Sequence, residues 1–319
     1  MKPYPRIVYM GTPYFAVPGL KKLIENNYNV VTVVTTPDKP AGRGLKMQSS
    51  PVKQAAIELG IPVLEPFSLK SDDFFEALKS YNPDIQIVVA FKKLPDRVWQ
   101  LPPLGTFNLH ASLLPQYRGA APINWAIING EQETGLTTFF INDKIDEGNL
   151  LLQTKIPITP DMTAGELHDA MLEPGAELIL KTLEGILNNS IVPKKQEIHE
   201  NLKTAPKIFK ENCLIDWTKG VLEVHNFIRG LSPNPGAYTV LEIQNKPIIL
   251  KILRTKILGN SIKIPPKTLH VENKKQLIVG CADGALSIEK LMPEGKKEMT
   301  ASEFLNGVLN KTNLIKINS

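Results

Sequence analysis

The chain has only two cysteines in 319 residues, Cys213 and Cys281, and no CxxC pair. That excludes a disulfide framework and a cysteine-built zinc site, and leaves two small buried thiols as the expectation. Aromatic residues make up 7% of the chain, and no apolar run approaches the roughly 18 residues that mark a membrane span. The opening MKPYPRIVYMGTPYFAVPGL has too short an apolar run and too many prolines for a secretory leader, so a cytoplasmic protein with no membrane partner is expected. Several motifs are also missing. Gly11 follows the first apolar run without a G-x-G-x-x-G, and there is no P-loop, no H-E-x-x-H and no G-x-S-x-G. Dinucleotide, P-loop, zinc-protease and serine-hydrolase chemistry therefore lack their parts.

What is present reads as an ordinary globular chain, 42% hydrophobic and 22% charged, and long enough for two cores. Its net charge of +5 is unevenly spread: residues 201–319 hold 18 Lys/Arg against 10 Asp/Glu, whereas the first 200 are acidic by three. Such asymmetry fits a C-terminal part that meets a polyanion, although a solvated basic face with no partner fits the charge equally well.

The first 190 residues alternate β-branched runs (RIVYMG, VVTVVTTP, IPVLEP, IQIVVAF) with helical patterns at Ser50–Gly60 and Leu69–Tyr81. This is the pattern of βαβ units on a parallel sheet. TFNLHAS adds a fifth strand, GAAPINWAIING a helix, TGLTTFFIN and NLLLQTKIPI a late strand pair, and Thr163–Asn188 one long amphipathic helix. A polar, lysine-rich stretch from residue 191 reads as a linker. Beyond it a short helix, GVLEVHNFIRGL, precedes five alternating runs that suggest a small antiparallel barrel. The expected division is residues 1–190, a linker at 191–209, and a β-barrel at 210–319.

The fifth strand carries the chemistry. In an open α/β sheet ligands bind at the carboxyl ends of the strands, which is where FNLHAS stops before LLPQYRG. Alternation puts Asn108 and His110 on one face. An amide donor and an imidazole side by side suit a reaction in which a carbonyl becomes an oxyanion. The fragment NDKIDEGN supplies an acid to hold the imidazole's protonation state. Asp146 is preferred because it stands directly before the Gly-containing turn, Asp143 is not excluded by spacing, and Glu147 places a second carboxylate beside the first. Local satisfaction of backbone groups by Asn108 and His110 is the competing reading.

FNLHASLLPQYRGAAP, followed by ETGLTTFFIND and IDEG, resembles the folate-dependent formyltransferase family. MGTPYFAVPGL and PDKPAGRGLKMQSSPVKQAA point within it to the branch that formylates methionyl-tRNA, and LIDWTKG, IRGLSPNPGAY and MPEGKKEM extend the resemblance almost to the C-terminus. The resemblance implies an α/β fold, a Rossmann-like formyltransferase domain with a C-terminal OB-like β-barrel domain. It implies transfer of a formyl group from 10-formyltetrahydrofolate to the α-amine of methionine on initiator tRNA, for initiation of translation. It further implies that Asn108, His110 and Asp146 are catalytic, that Ser112, Leu113, Leu114 and Pro115 line the folate pocket, and that no metal takes part. A monomer is expected.

Residues 36–50, TPDKPAGRGLKMQSS, form a connection longer than the usual two to six residues. Lys39, Arg43 and Lys46 stand there among glycines and prolines; on the residues alone this reads first as a solvated basic loop and second as one that enters an acceptor stem, and the resemblance implies the latter, since in that family the matching loop does this. Lys203, Lys207, Lys210, Lys251, Arg254, Lys256, Lys296 and Lys297 are further candidates to follow a phosphate backbone. His168, His199, His225 and His270 have no acid partner evident in the sequence and read as structural. The rival functions are a formyltransferase for an amino sugar or purine precursor, a non-catalytic RNA-binding protein on the same fold, and a hydrolase that passes the formyl group to water.

Overall fold

The computed structural model describes residues 5–41, 46–197, 200–243, 246–258, 264–309 and 315–317. The chain packs as two compact units. The first comprises residues 1–119, 134–156 and 170–204, and the second residues 120–133, 157–169 and 205–319.

The first unit is built on strands β1 (Ile7–Gly11), β2 (Val30–Val34), β3 (Val63–Leu64), β4 (Ile85–Val89), β5 (Thr106–His110), β6 (Glu133–Phe140) and β7 (Leu150–Pro157), in the order β7-β6-β5-β4-β1-β2-β3. β1 pairs in parallel with β2 and β4, β4 with β5, and β2 with β3, while β6 runs antiparallel to β5. Every residue of β1 and β4 is buried, as expected for parallel strands covered on both faces, and their sequences IVYMG and IQIVV are apolar except for Gln86. The order reverses beside β1, and β5 delivers its carboxyl end on the β4 side of that switch.

Two helices of this unit start on serine caps. Ser50 Oγ accepts the Lys53 N–H at 3.1 Å with Pro51 as the first helical residue, and Ser71 Oγ accepts the Phe74 N–H ahead of Asp72 and Asp73. The helix expected over Thr163–Asn188 is instead two, Ala164–Ala170 and Leu172–Leu187. Pro174 is the reason: it has no N–H to give the carbonyl of Ala170 and its ring crowds that carbonyl, so the helix restarts after Met171. The basic connection also has more structure than a loop, since Lys39–Ala41 pairs with Lys46–Gln48 as a short antiparallel ribbon. At its base Lys53 Nζ binds Asp38 at 2.9 Å and Glu65 at 2.8 Å. That ammonium holds the Asp38 carboxyl below the usual carboxylate range.

In the second unit β8 (Ala237–Ile243), β9 (Lys246–Leu258), β10 (Leu269–Glu272), β11 (Gln276–Gly280), β12 (Ala285–Pro293), β13 (Met299–Thr300) and β14 (Ile315–Ile317) form an antiparallel sheet in the order β10-β11-β12-β9-β8-β14, with β13 on β12. β10 and β14, at the two ends of that order, approach each other and nearly close the barrel. The register of β9 against β12 slips around Arg254, the kind of bulge that lets one long strand bend around a barrel. β8 alternates buried and half-buried residues, and the core gathers Trp217, Leu250, Ile252, Leu277, Leu286 and Leu291. Cys213 and Cys281 are buried there as expected, and burial pushes the Cys281 thiol up to about 12.

His225, on the helix Val221–Leu231, departs from the expectation of a histidine without an acid partner. Its Nδ1 lies 2.9 Å from Thr255 Oγ1 and its Nε2 lies 3.4 Å from Asp161 Oδ1. Burial, and then the Arg229 charge, push its pKa below the ordinary imidazole value against the pull of Asp161. The unfolded chain therefore takes up a proton below about pH 6.5 while the folded chain does not. The neutral imidazole's contribution is complete above that pH and is lost as pH falls toward the folded pKa. The stability advantage of the parent over His225→Gln should shrink between pH 7.5 and pH 5.5 in urea unfolding. A constant difference across that range would contradict the assignment.

Candidate active site

Asn108 and His110 leave β5 on the same face, with Asn108 opposite Val88 and Phe139 and His110 opposite Thr137. His110 is 7% exposed. Its Nε2 lies 2.9 Å from the Tyr117 carbonyl oxygen, and since a carbonyl only accepts, Nε2 carries the hydrogen. Nδ1 is thereby left facing Asp146, whose Oδ2 is 3.8 Å away. Asp143 is exposed, so of the two candidate acids it is Asp146 that stands against the imidazole.

Asp146 is held on several sides. Its Oδ2 accepts the Gly119 N–H at 3.0 Å, and its backbone sits at φ 55°, a conformation that Asp and Asn adopt more readily than most residues. Glu147 turns away from His110, with Oε1 3.3 Å from Arg118 Nη1 and Oε2 3.7 Å from Lys144 Nζ. The second carboxylate of the turn is thus neutralised by its own cations. Gly148 closes the turn where no side chain fits, because a Cβ there would lie 1.6 Å from the Phe140 carbonyl oxygen.

The segment after β5 is fixed by Thr137 and Gln153. Thr137 Oγ1 donates to the Ser112 carbonyl at 2.6 Å and accepts the Leu114 N–H at 3.1 Å. Gln153 Nε2 donates to the Leu114 carbonyl and to Thr137 Oγ1, both at 2.9 Å. Ser112 Oγ donates to the Gln116 carbonyl at 2.6 Å. The side chains of Ser112 and Leu114 are buried, and Leu113 and Pro115 are half-buried. The Leu113 carbonyl also accepts the Gln116 N–H at 3.1 Å, so of the quartet Leu113 and Pro115 are the partly exposed apolar members.

Asn108 has an unusual environment. Its Oδ1 is buried and has no hydrogen-bond partner. Leaving such an acceptor unpaired costs about 1 to 3 kcal/mol, which a bound group carrying an N–H would recover. The folded protein leaves this buried oxygen unpaired on the strand face that also carries His110.

Not every expected residue converges here. Lys39 is exposed on the ribbon, Lys46 is on its second strand, and Arg43 lies outside the described residues, as does His199. Among the C-terminal cations, Arg254 is paired with Glu166 and Lys251 Nζ donates to the Pro235 carbonyl at 2.6 Å, so these two are engaged within their own unit. Lys207 sits over the Phe209 ring, and Lys256, Lys296 and Lys297 are exposed. Sequence reasoning missed Arg118, Thr137, Gln153 and Gln196. Arg118 and Thr137 stand inside motifs already singled out, whereas Gln196 had no local signal at all.

Among the described residues no group of three or more His, Cys, Asp and Glu is placed to hold a metal ion, and no helix is long and apolar enough to cross a membrane. Residues 5–183 match the family profile described as formyl transferase, and residues 207–309 match formyl transferase, C-terminal domain. The chain is 49% identical over 306 residues to the methionyl-tRNA formyltransferase of Bacteroides thetaiotaomicron, covering 95% of each chain. It is 48% identical over 303 residues to that of Flavobacterium johnsoniae, covering 95% of this chain and 96% of that one. In fold it resembles an N-formyltransferase from Helicobacter canadensis solved with folinic acid and dTDP-3-aminofucose, with a TM-score of 0.66 at 21% identity over 92% of this chain and 100% of that one. HypX from Aquifex aeolicus in complex with tetrahydrofolic acid gives 0.66 at 18% identity over 97% of this chain. This chain spans about half of HypX, 48% of its length. With both family profiles matched in order and nearly half of all positions shared with full-length relatives, the chain belongs to the methionyl-tRNA formyltransferase family of formyl transferases.

Proposed function

We propose that the protein transfers the formyl group of 10-formyltetrahydrofolate to the α-amino group of methionyl initiator tRNA, with Asn108, His110 and Asp146 carrying the reaction. The observation behind this reading is the grouping of those three residues, with one buried amide oxygen left unpaired, at the carboxyl end of β5. The half-buried Leu113 and Pro115 offer an apolar edge for a flat folate ring, and the folate supplies an activated formyl carbon there.

The residues divide the work by their chemistry. Asn108 can accept from the substrate amine through Oδ1 and donate to the developing formyl oxyanion through Nδ2, because these two substrate atoms flank the same carbon. His110, with Nε2 tied to Tyr117, keeps Nδ1 for the site. Asp146 orients the imidazole and takes the proton the amine must lose as its bond to the formyl carbon forms, directly or through one water. The C–N bond to the folate breaks in the same exchange, and the departing nitrogen gains a proton.

Lys39, Arg43 and Lys46 are assigned to the acceptor end of the RNA, and the exposed cations of residues 210–319 to its backbone. Catalysis is assigned to residues 1–190, joined through residues 191–209, in a cytoplasmic monomer. The test is an acceptor assay: 10-formyltetrahydrofolate with methionyl initiator tRNA, methionyl elongator tRNA, or no acceptor, following formyl-methionine and free formate. Formylation of initiator far above elongator is the expected result. Formate released without an acceptor would favour hydrolysis, and binding without either product would favour a non-catalytic RNA-binding protein.

A further inference from the structure

We propose that Gln196 is a positioning residue for formyl transfer, its side-chain amide fixing the turn that presents Asp146 to His110; this rests on the assignment of Asp146 above. Gln196 lies outside both matched segments, 5–183 and 207–309, in the lysine-rich stretch whose sequence reads as a linker. It is nonetheless 5% exposed. Its Nε2 donates to the Asp146 carbonyl at 2.9 Å and to the Gly148 carbonyl at 2.8 Å. Its Oε1 accepts from Arg118 Nε at 3.1 Å and Nη2 at 2.7 Å.

One amide thus joins three parts of the site. The first two are the carbonyls of Asp146 and Gly148, which bracket the turn. The third is Arg118, which also reaches Glu147 and immediately precedes Gly119, the residue whose N–H binds the Asp146 carboxylate. The neighbouring backbone supports the arrangement, because Lys194 exchanges both hydrogen bonds with Leu150 just beyond the turn.

The turn needs an external hold. Asp146 occupies the left-handed region at φ 55°, which aspartate adopts more readily than most residues but still less favourably than right-handed backbone, and its carboxylate meets His110 across 3.8 Å, beyond hydrogen-bond range. The closest part of the site is therefore placed by the backbone rather than by its own contact. Of the side chains this size, only a neutral amide offers two N–H groups to two carbonyls and an oxygen to a guanidinium at once. Glutamate would turn a second lone-pair-bearing oxygen on those carbonyls, and methionine would leave both carbonyls and the guanidinium unmatched.

The experiment is a double-mutant cycle in the full chain, read as single-turnover formylation of methionyl initiator tRNA with enzyme in excess. Gln196→Met should lower the rate about 10- to 100-fold, the size expected of a misplaced group, and move the half-saturating tRNA concentration less than twofold. Introduced into Asp146→Asn, the same change should cost less than twofold, because the carboxylate it serves is gone. Gln196→Glu keeps the volume and the Arg118 contact while losing both donors, and should repeat the pattern if the methionine variant folds poorly. Equal losses in the two backgrounds would show a structural role and overturn the proposal, as would a parental rate in both Gln196 variants. A parental rate in Asp146→Asn alone would instead bring down the assignment of Asp146, and the role of Gln196 with it.

Discussion

Replacing His110 by Ala, or Asp146 by Asn, is expected to lower formyl transfer roughly 10²- to 10⁴-fold, the range that a positioned acid or base is worth. The two changes differ in what else they disturb. His110→Ala removes the imidazole and also the donor to the Tyr117 carbonyl, leaving a cavity in a site that is almost fully buried, so some loss of stability accompanies the loss of rate. Asp146→Asn is the cleaner substitution: asparagine tolerates φ 55° as well as aspartate does and keeps an oxygen for the Gly119 N–H. What it removes is the negative charge facing Nδ1 and the capacity to take a proton. The measurements are single-turnover rate, half-saturating tRNA concentration and thermal midpoint for each variant. A fall confined to the rate in Asp146→Asn fits the assigned role, and a rate within twofold of the parent in either variant would remove that residue from the chemistry.

How far this site could be read from the sequence depends on the range of the contacts that build it. Asn108 and His110 are legible because strand alternation is local, and the strand declares itself by its apolar run. The parallel strands β1 and β4, buried on both faces, are legible instead by their short, largely apolar runs. Asp146 required a choice between neighbours, since nothing in NDKIDEGN says which carboxylate turns inward; the left-handed backbone and the Gly119 N–H decide it. The hydrophobic periodicity of residues 163–188 runs straight through Pro174 and hides the break at Met171. Gln196 lies at the opposite extreme. Its partners are 48, 50 and 78 residues away in sequence, and its own surroundings are polar and aperiodic, so no local rule could single it out.

Gly148 gives the sharpest test of how much the site depends on its turn. Gly148→Ala would place a Cβ 1.6 Å from the Phe140 carbonyl oxygen and 3.2 Å from the Phe139 ring, distances at which something has to move. Phe140 cannot easily retreat, because it is held in register opposite Phe107 of the neighbouring strand and its N–H is bonded to the Asn149 carbonyl. The displacement therefore falls on the turn, where Gln196 holds the Gly148 carbonyl and Asp146 stands two residues away. Overpacking of this kind costs about 1 to 3 kcal/mol or more, and a shift near 1 Å at a catalytic group costs on the order of 10² in rate. Both losses are expected together: a lowered thermal midpoint and a single-turnover rate reduced about a hundredfold, with tRNA still bound. Gly60→Ala separates the two effects, since Gly60 has φ 69° but open space around its Cβ position and should lose stability through strain while keeping its rate. If Gly148→Ala keeps the parental rate at whatever stability it retains, the placement of Asp146 does not depend on this turn, and the carboxylate must be brought to His110 by the Gly119 contact alone.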